Sequence, residues 1–329
     1  MEWLDLEFMQ RALLAALITG ITAPAIGTYI VQRRLSLLGD GLGHLAVAGV
    51  GLAMLTGAAP LPLAIVVCVV GAVVIELLRE SGRAQGDVGL AILFYGGLSG
   101  GLLLAGLAGQ GAGTLAGYLF GSLLTVGAGD LWLIAGLGLV VLVVGIGLLP
   151  QLFTVSADEA FARTIGLPTR LLNITVVALA AITVTVSMRT VGLLLVSALM
   201  VVPVATANHL VSGFRRGLYA AMGLGAFAAV VGTIGSYYLD TAPGALIVVL
   251  AIVVFALSWP VARLLQGRPD APVEVGSPDD EAPPEKAPEE HPHVHGPGCG
   301  HQSVEHAGHV DYVHDGHRHA PHGDHYDEH

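Results

Sequence analysis

Lysine is nearly absent from this sequence. Lys286 is the single lysine among 329 residues, and no Gly-Lys-Ser or Gly-Lys-Thr run occurs. Because the phosphate-binding Walker A loop depends on that lysine, we expect no standard ATP site in this chain. Cysteine is also scarce. Cys68 falls in an apolar run and Cys299 near the C-terminus, so the sequence predicts no structural disulfide.

Charged residues are few as well. They make up 12% of the chain, while 54% of the residues are hydrophobic, which excludes an ordinary soluble domain and is typical of a polytopic membrane protein. Residues 1–266 balance eleven arginines against eleven acidic residues. Residues 267–329 carry three basic and fourteen acidic residues, which accounts for the whole net charge of −11. The sequence therefore predicts two domains, a transmembrane domain over 1–266 and an acidic, His-rich tail over 267–329.

Nine apolar runs approach the length of about 20 residues that crosses a bilayer as a helix, so we predict an all-α body with about nine transmembrane helices. The runs are 9–31, 41–56, 61–78, 87–107, 130–149, 171–188, 191–210, 217–239 and 244–264. Arginines follow every odd-numbered run, as at Arg33, Arg79 and Arg215. The positive-inside rule then predicts an outside N-terminus and a cytoplasmic tail. The acidic start and long first run also predict no cleavable signal peptide.

An acid and a histidine lie four residues apart in the segment Gly39-Asp-Gly-Leu-Gly-His44. On a helix, residues i and i+4 share a face, so an oxygen ligand would lie beside a nitrogen ligand. An ionisable residue at membrane depth is costly and indicates a functional site. We predict that Asp40 and His44 handle a metal ion. The structural alternative is that Asp40 caps the helix and His44 is hydrogen-bonded inside the bundle.

Two other segments of the body are too short or too polar to cross. Residues 114–125 are apolar but short, and we expect them at the outer surface or as a re-entrant element. Residues 154–168 are the longest hydrophilic stretch of the body. Ser156 and Glu159 fit a capping box, and Gly166 predicts the end of the helix. This short cytoplasmic helix either reverses the chain or docks a partner.

The tail consists of two consecutive segments that differ in composition. Residues 268–290 are rich in Pro, Asp and Glu, which predicts disorder, and twelve of the fourteen histidines follow between His291 and His329. Since His-rich tracts bind metal ions, we predict loose, exchangeable chelation there; the alternatives are a solubilising or a pH-sensing tail. The predicted ligands are His291, His293, His295, His314, His317, His319 and His322.

Four segments, in this order along the chain, resemble the zinc/manganese/iron class of ABC importer permeases. They are Gly39–His44, Leu119–Thr125, Asp158–Leu167 and Val191–Ala207. The resemblance covers residues 1–266 and leaves the tail outside the family pattern. It implies a type II ABC importer permease-like fold in the bacterial plasma membrane, and a transport subunit that is not itself an enzyme.

The resemblance also implies partners and residue roles. The permease would form a homodimer or a pair in membrane lipid. Its partners would be a cytoplasmic ABC ATPase and an extracytoplasmic metal-binding protein. The resemblance implies neither nucleic acid nor a permanently bound cofactor. Asp40 and His44 match the positions that hold the ion, and two copies would supply four ligands. The ATPase contact would involve Asp158, Glu159, Arg163 and Gly166.

These observations predict the permease subunit of an ATP-driven divalent metal importer. Zinc is favoured because Asp and His ligands suit it and because the tail is rich in histidine; manganese and iron stay open. One alternative is a stand-alone secondary carrier, in which Asp40, His44 and Glu76 would be the ionisable groups of the path. Another is a membrane-tethered metal buffer with the tail as its active part.

Overall fold

The computed structural model divides into two compact units, Met1–Leu265 and Gln266–His329. The division lies one residue from the predicted boundary, and each unit is described by itself. The described residues are 6–82, 88–110, 112–121, 127–188, 191–265, 285–286, 299–306, 309–314, 317–322 and 325–328. The predicted tail ligands His291, His293 and His295 lie outside them.

The first unit is built from helices. They are α1 Glu7–Gln32, α2 Leu38–Thr56, α3 Pro60–Glu80, α4 Val88–Ala91, α5 Gly97–Leu107, α6 Ala112–Phe120, α7 Ala128–Gly147, α8 Leu149–Ala157, α9 Glu159–Thr164, α10 Thr169–Ser187, α11 Leu193–Leu210, α12 Phe214–Leu239 and α13 Pro243–Leu265. A π-helical turn, Ile92–Gly96, joins α4 to α5. The helical membrane fold predicted for this unit is confirmed.

Eight helices of the described residues are long and apolar enough to cross a membrane, with α4, the π-turn and α5 counted together as Val88–Leu107. The other predicted run corresponds to α11, whose apolar part, Leu195–Leu210, is shorter. This helix begins only at Leu193, because Gly192 before it has a φ of 91°, a conformation that favours glycine and ends helical geometry.

The core of this unit lies around α1, α2, α10 and α11, where Tyr29, Leu42, Val184 and Leu199 are buried. The helices at the periphery expose large apolar side chains instead. These include Val66 of α3, Leu103 of α5, Leu139 of α7 and Leu257 of α13. Such surfaces fit contact with lipid or with another membrane-embedded chain.

A buried ion pair joins the ends of α1 and α3. Arg33, directly after α1, lies 3.0 Å from Glu76, and the two side chains are only 5% and 6% exposed. Arg79 binds the same Glu76 oxygen at 3.0 Å, and nearer the surface Arg170 of α10 binds Glu80 at 3.1 Å. These contacts bring together the ends of α1 and α3 and the start of α10, at the end of the bundle that the arginine pattern predicts to be cytoplasmic.

The described part of the second unit is an antiparallel sheet. Its strands are β1 Glu285–Lys286, β2 Gln302–His306, β3 His309–His314, β4 His317–His322 and β5 His325–Glu328, in the order β1-β5-β4-β3-β2. The disorder predicted for 268–290 concerns residues that lie, apart from β1, outside the described ones, and it stays a prediction.

Candidate functional site

Asp40 lies in the first turn of α2, where the helix dipole favours a carboxylate. The N-cap residue is Leu37, and no side chain caps the helix. Asp40 therefore does not play the capping role that the structural alternative gave it. Its Oδ1 instead accepts a hydrogen bond from the hydroxyl of Ser197 on α11, which ties the half-buried carboxylate to a second helix.

His44 is buried, with 7% of its surface exposed. Its Nδ1 lies 2.9 Å from the backbone oxygen of Asp40. A carbonyl oxygen only accepts, so Nδ1 donates this hydrogen bond, and in a neutral imidazole the lone pair is then on Nε2. Histidines that bind metals commonly have one ring nitrogen fixed in this way. The imidazole is thus hydrogen-bonded within the bundle, and Nε2 is the ring nitrogen that a neutral His44 could offer to a cation.

An aromatic ring covers the imidazole. The π-helical turn places Phe94 against His44, with ring centroids 3.9 Å apart and planes inclined by 27°. Turns of this kind occur frequently at functional sites. Directly after the turn, a Cβ atom added to Gly97 would lie 2.6 Å from the carbonyl carbon of His44. Only glycine allows α5 to approach the α2 backbone so closely, so the imidazole is held between two helices.

A cavity of about 260 Å³ opens beside the acid. Asp40 supplies its negative charge, and Phe94 and Tyr95 form an aromatic wall. A water molecule occupies about 30 Å³ in the liquid, so the cavity has room for a cation with several of its waters. A carboxylate bordering such a space is a suitable first ligand for a partly hydrated divalent ion.

The site lies near one end of α2. His44 is six residues beyond Leu38, which is about 9 Å along a helix that rises 1.5 Å per residue. Helix α2 begins five residues after Arg33, the residue paired with Glu76. Asp40 and His44 therefore lie within the two turns of α2 nearest to the buried ion pair.

A single chain does not present a complete metal centre. Within the ranges that the structure describes, no group of three or more His, Cys, Asp or Glu side chains is placed to hold a metal ion. Asp40 and His44 would provide two ligands, whereas protein-bound zinc is generally four-coordinate. Glu76, the third ionisable residue considered for a transport path, is occupied by Arg33 and Arg79 and acts as a structural partner.

The segment predicted to contact an ATPase forms two short helices rather than one. Helix α8 runs to Ala157, so Ser156 is buried inside it and the predicted Ser156 cap is wrong. Asp158 caps α9 instead, and its Oδ1 accepts a hydrogen bond from the backbone N–H of Phe161 at 2.9 Å. Gly166, with a φ of 79°, ends α9 in a Schellman motif, as its N–H donates to Arg163 and that of Leu167 to Ala162.

The surface of α9 combines a paired acid with exposed apolar side chains. Glu159 binds Arg163 at 2.5 Å. Burial alone would raise the pKa of Glu159, but hydrogen bonds from Arg163 and Asn173 and the nearby positive charges lower it below its ordinary value. Phe161 and Ile165 are more than half exposed, at 55% and 53%. A charged surface element with two exposed apolar side chains is suited to contact with another protein.

The predicted tail histidines of the described strands occupy defined register positions. His314 and His317 are backbone partners across β3 and β4. His319 pairs with Tyr312 on one side and with Glu328 on the other. His322 ends β4, where it pairs with His325.

Sequence reasoning missed two residues of the site in the first unit. Ser197 lies within the Val191–Ala207 segment, and the signal available was a hydroxyl inside an otherwise apolar run. Phe94 belongs to an aromatic pair directly before Gly96-Gly97. Its place over His44 depends on the π-helical turn, which shifts the helical register and which the apolar periodicity does not predict.

Comparison with known proteins gives consistent matches over the first unit. The model of the ABC 3 transport family matches residues 5–262. The manganese transport system membrane protein MntC of Halalkalibacterium halodurans is 32% identical over 259 residues, covering 78% of this chain and 88% of that protein. The manganese import system permease protein ScaB of Streptococcus parasanguinis is 30% identical over 256 residues, covering 78% and 91%.

A solved structure matches the same region. It is PsaBC from Streptococcus pneumoniae in complex with Fab, with a TM-score of 0.72 and 29% sequence identity. The match covers 80% of this chain and 98% of the PsaBC chain.

Proposed function

Because the chain belongs to the ABC 3 transport family, we propose that Asp40 and His44 hold a divalent metal ion on its way through the permease of an ATP-driven importer. The protein is a multi-pass metal ABC importer permease, a transport component. What the proposal adds is the site, the identity of the ion and the partners.

The observation that carries the proposal is that neighbouring residues fix the orientation of both proposed ligands. The Asp40 carboxylate is held by Ser197 and borders a cavity. The His44 ring is held in one tautomer by the Asp40 backbone and is stacked on Phe94. Fixed ligand orientation is what raises metal affinity at a site with few ligands. A packing role alone does not require the lone pair of His44 to be on Nε2.

Two copies of the chain complete the site in this proposal. One copy provides one oxygen and one nitrogen ligand, and a two-fold axis beside α2 would bring a second pair to the same ion. The resulting set of two oxygens and two nitrogens is a suitable four-coordinate environment for a dehydrated cation. The exposed aromatic Tyr95, at the edge of the cavity, would then lie at the contact between copies.

The energy for transport would come from a separate ATPase. The chain has one lysine and no Walker A loop, and α9 presents Phe161 and Ile165 on the end of the bundle predicted to be cytoplasmic. We place the ATPase contact on Asp158, Glu159, Arg163 and Gly166, where Asp158 and Gly166 define the two ends of α9. An extracytoplasmic metal-binding protein would deliver the ion to the opposite side.

We propose zinc as the ion. A mixed carboxylate and imidazole set suits zinc, and the tail is rich in histidine. Manganese is the second candidate, because the two relatives described above are named as manganese systems. Competition decides between them: a tenfold excess of unlabelled manganese should leave uptake of labelled zinc largely intact, and abolition of zinc uptake would make manganese the cargo.

The site itself is tested by metal uptake in cells that express the whole importer. Asp40→Ala and His44→Ala should each reduce uptake to background, because each removes half of the ligands that a chain provides. Assembly of the complex with its ATPase is measured in the same membranes and should be unchanged. The matched control is Glu80→Gln, which removes a surface ion pair and should leave uptake intact.

Wild-type uptake by both alanine variants would refute the site. Transport by the chain alone in liposomes, without any ATPase, would refute the importer and favour a secondary carrier. Loss of uptake on deletion of residues 267–329 would favour the tail as the active part.

A further inference from the structure

Two arginines at the start of α12 are not used by the proposed transport site. Arg215 and Arg216 belong to the first turn of this helix, and both side chains are exposed. Neither forms an ion pair with an acid of the described residues. By contrast, the exposed Arg163 and Arg170 are each paired with a glutamate. The charge at the start of α12 is therefore unbalanced by the acids that the structure describes.

The backbone of α12 adds to this positive charge. The N-terminus of a helix carries about half an elementary positive charge, so acids are favoured there and bases are not. The first turn of α12 contains no acidic residue, and no side chain caps the helix at Gly213. Positions that break a local stability rule are often functional. An anion is the ligand that would compensate both the arginines and the helix dipole.

A cavity of about 640 Å³ opens beside these arginines, and we call it the arginine cavity. It is lined by Leu149, Pro150 and Phe153 of α8 and by residues 212–216. All of these lining residues are described, and none of them is acidic. The rings of Phe153 and Phe214 pack with centroids 4.4 Å apart, which gives the cavity an aromatic wall. Since a water molecule occupies about 30 Å³ in the liquid, the cavity has room for a phosphate group and several waters.

The sequence of α12 places the arginine cavity at the level of lipid headgroups. Tyr219 lies four residues beyond Arg215 and three beyond Arg216, so it neighbours both on the helix surface. It is 51% exposed, and tyrosine is enriched where headgroups meet hydrocarbon. The exposed Phe227 lies eleven residues beyond Arg216, which is about three turns and about 16 Å along the same face. This face therefore changes from basic to apolar in the order in which a bilayer does.

Helix α7 provides a second apolar surface beside the cavity. Leu142 of α7 and Met222 of α12 pack against one buried cluster that includes Ala25 of α1. The end of α7 and the first turns of α12 are thus neighbours across α1. Leu139 and Val143 of α7 are 62% and 61% exposed. A ligand whose charged group enters the cavity can lay apolar chains against both helices.

We propose that the arginine cavity binds the phosphate headgroup of an anionic phospholipid, whose acyl chains lie along the exposed apolar faces of α7 and α12. Guanidinium groups bind phosphate oxygens through paired N–H donors, and basic pockets between membrane helices bind acidic headgroups. A free phosphate ion would satisfy the arginines but would leave the apolar faces without a partner. This site goes beyond the transport function and stands whichever ion is carried.

Lipid binding by the full-length protein in nonionic detergent tests the site. Native mass spectrometry measures the affinity as phosphatidylglycerol or phosphatidylcholine is added, and the wild-type protein should bind phosphatidylglycerol more tightly. Arg215→Gln combined with Arg216→Gln should weaken phosphatidylglycerol binding about 25-fold, because each arginine near an anionic lipid surface contributes about fivefold. The preference over phosphatidylcholine should then be lost.

The matched control combines Arg34→Gln with Arg263→Gln. It removes the same charge from two exposed arginines that lie outside the arginine cavity, at the end of the bundle predicted to be cytoplasmic. The control should retain the wild-type affinity for phosphatidylglycerol. Without added lipid, both double variants should unfold at the wild-type temperature, which shows that the arginines are not needed for the fold itself.

A third variant keeps both arginines and blocks the space between them and α8. Ser212 lines the arginine cavity, so Ser212→Trp places an indole there and should weaken phosphatidylglycerol binding although no charge is lost. A large excess of inorganic phosphate should displace little of the lipid, because a phosphate ion makes no contact with the apolar faces.

Four results would overturn the lipid site. Equal losses in the arginine variant and its control would assign binding to the overall charge of this end of the bundle. Unchanged binding after Ser212→Trp would place the lipid outside the arginine cavity. Equal affinity for the two lipids would show that no anionic group is recognised. Displacement by inorganic phosphate would assign the cavity to a soluble anion.

Discussion

Ser197 connects α11 to α2 at the proposed transport site. It lies 157 positions from Asp40 in the chain, yet its hydroxyl donates to the Asp40 carboxylate. A carboxylate without this donor would rotate freely, and part of the binding free energy would then be needed to orient it. In the proposed site, Ser197 is thus a positioning residue, which would act on the ion through Asp40.

We expect Ser197→Ala to raise the metal concentration needed for half-maximal uptake about tenfold, with a smaller change in the maximal rate, because Asp40 itself remains. Uptake measured over a range of metal concentrations separates these two quantities. The control is Thr206→Val on the same helix. The buried Thr206 hydroxyl donates a hydrogen bond of 2.8 Å to the backbone oxygen of Val202, which also belongs to α11. Identical behaviour of the two variants would show that Ser197 serves packing alone.

The sequence was sufficient to find some residues of this site and not others. Asp40 and His44 are four positions apart, so their shared helix face follows from local periodicity. Ser197 and Phe94 meet them only through the packing of α2 against α11 and against the π-helical turn. Contacts between residues so distant in the chain depend on helix packing, which the apolar pattern of one segment does not specify.

The membrane helices could be predicted where the length of an apolar run alone determines the secondary structure. In lipid, every backbone polar group needs an internal partner, so a long apolar run has no alternative to a helix. The errors lie where shorter signals compete. At the junction of α8 and α9, Asp158 caps the second helix, whereas the capping-box pattern predicted Ser156 as the cap.

The buried pair of Arg33 and Glu76 gives a prediction at the scale of helices. Glu76→Gln leaves the Arg33 guanidinium buried without its carboxylate, and breaking one partner of a buried pair costs about 3–5 kcal/mol. We expect a clearly lower thermal unfolding temperature in detergent. Glu80→Gln, the matched control, breaks a pair that is 66% and 33% exposed and should cost about 1 kcal/mol or less. Equal shifts in the two variants would contradict this account of how α1 and α3 are joined.

The two units of the molecule differ in charge and in secondary structure. The helical unit balances its charges, whereas the tail carries the entire net charge of −11. Matches to known proteins cover the helical unit, with the family model ending at residue 262. The tail therefore lies outside the part of the chain that the family model matches.

At the scale of the whole transporter, the central claim is that one chain holds half of a metal site. Asp40 and His44 belong to the same two turns of α2, and the described residues of the chain offer them no third ligand. A site of this kind functions only when two copies meet, so its geometry is a property of the assembled importer.

The most direct measurement is the position of zinc in the assembled importer, determined by anomalous scattering at the zinc edge. The account predicts a peak between two copies of the chain, about 2.0–2.2 Å from an Asp40 oxygen and a His44 nitrogen of each. A zinc peak elsewhere in the membrane-spanning region, with Asp40 and His44 turned toward lipid and remote from the two-fold axis, would contradict it.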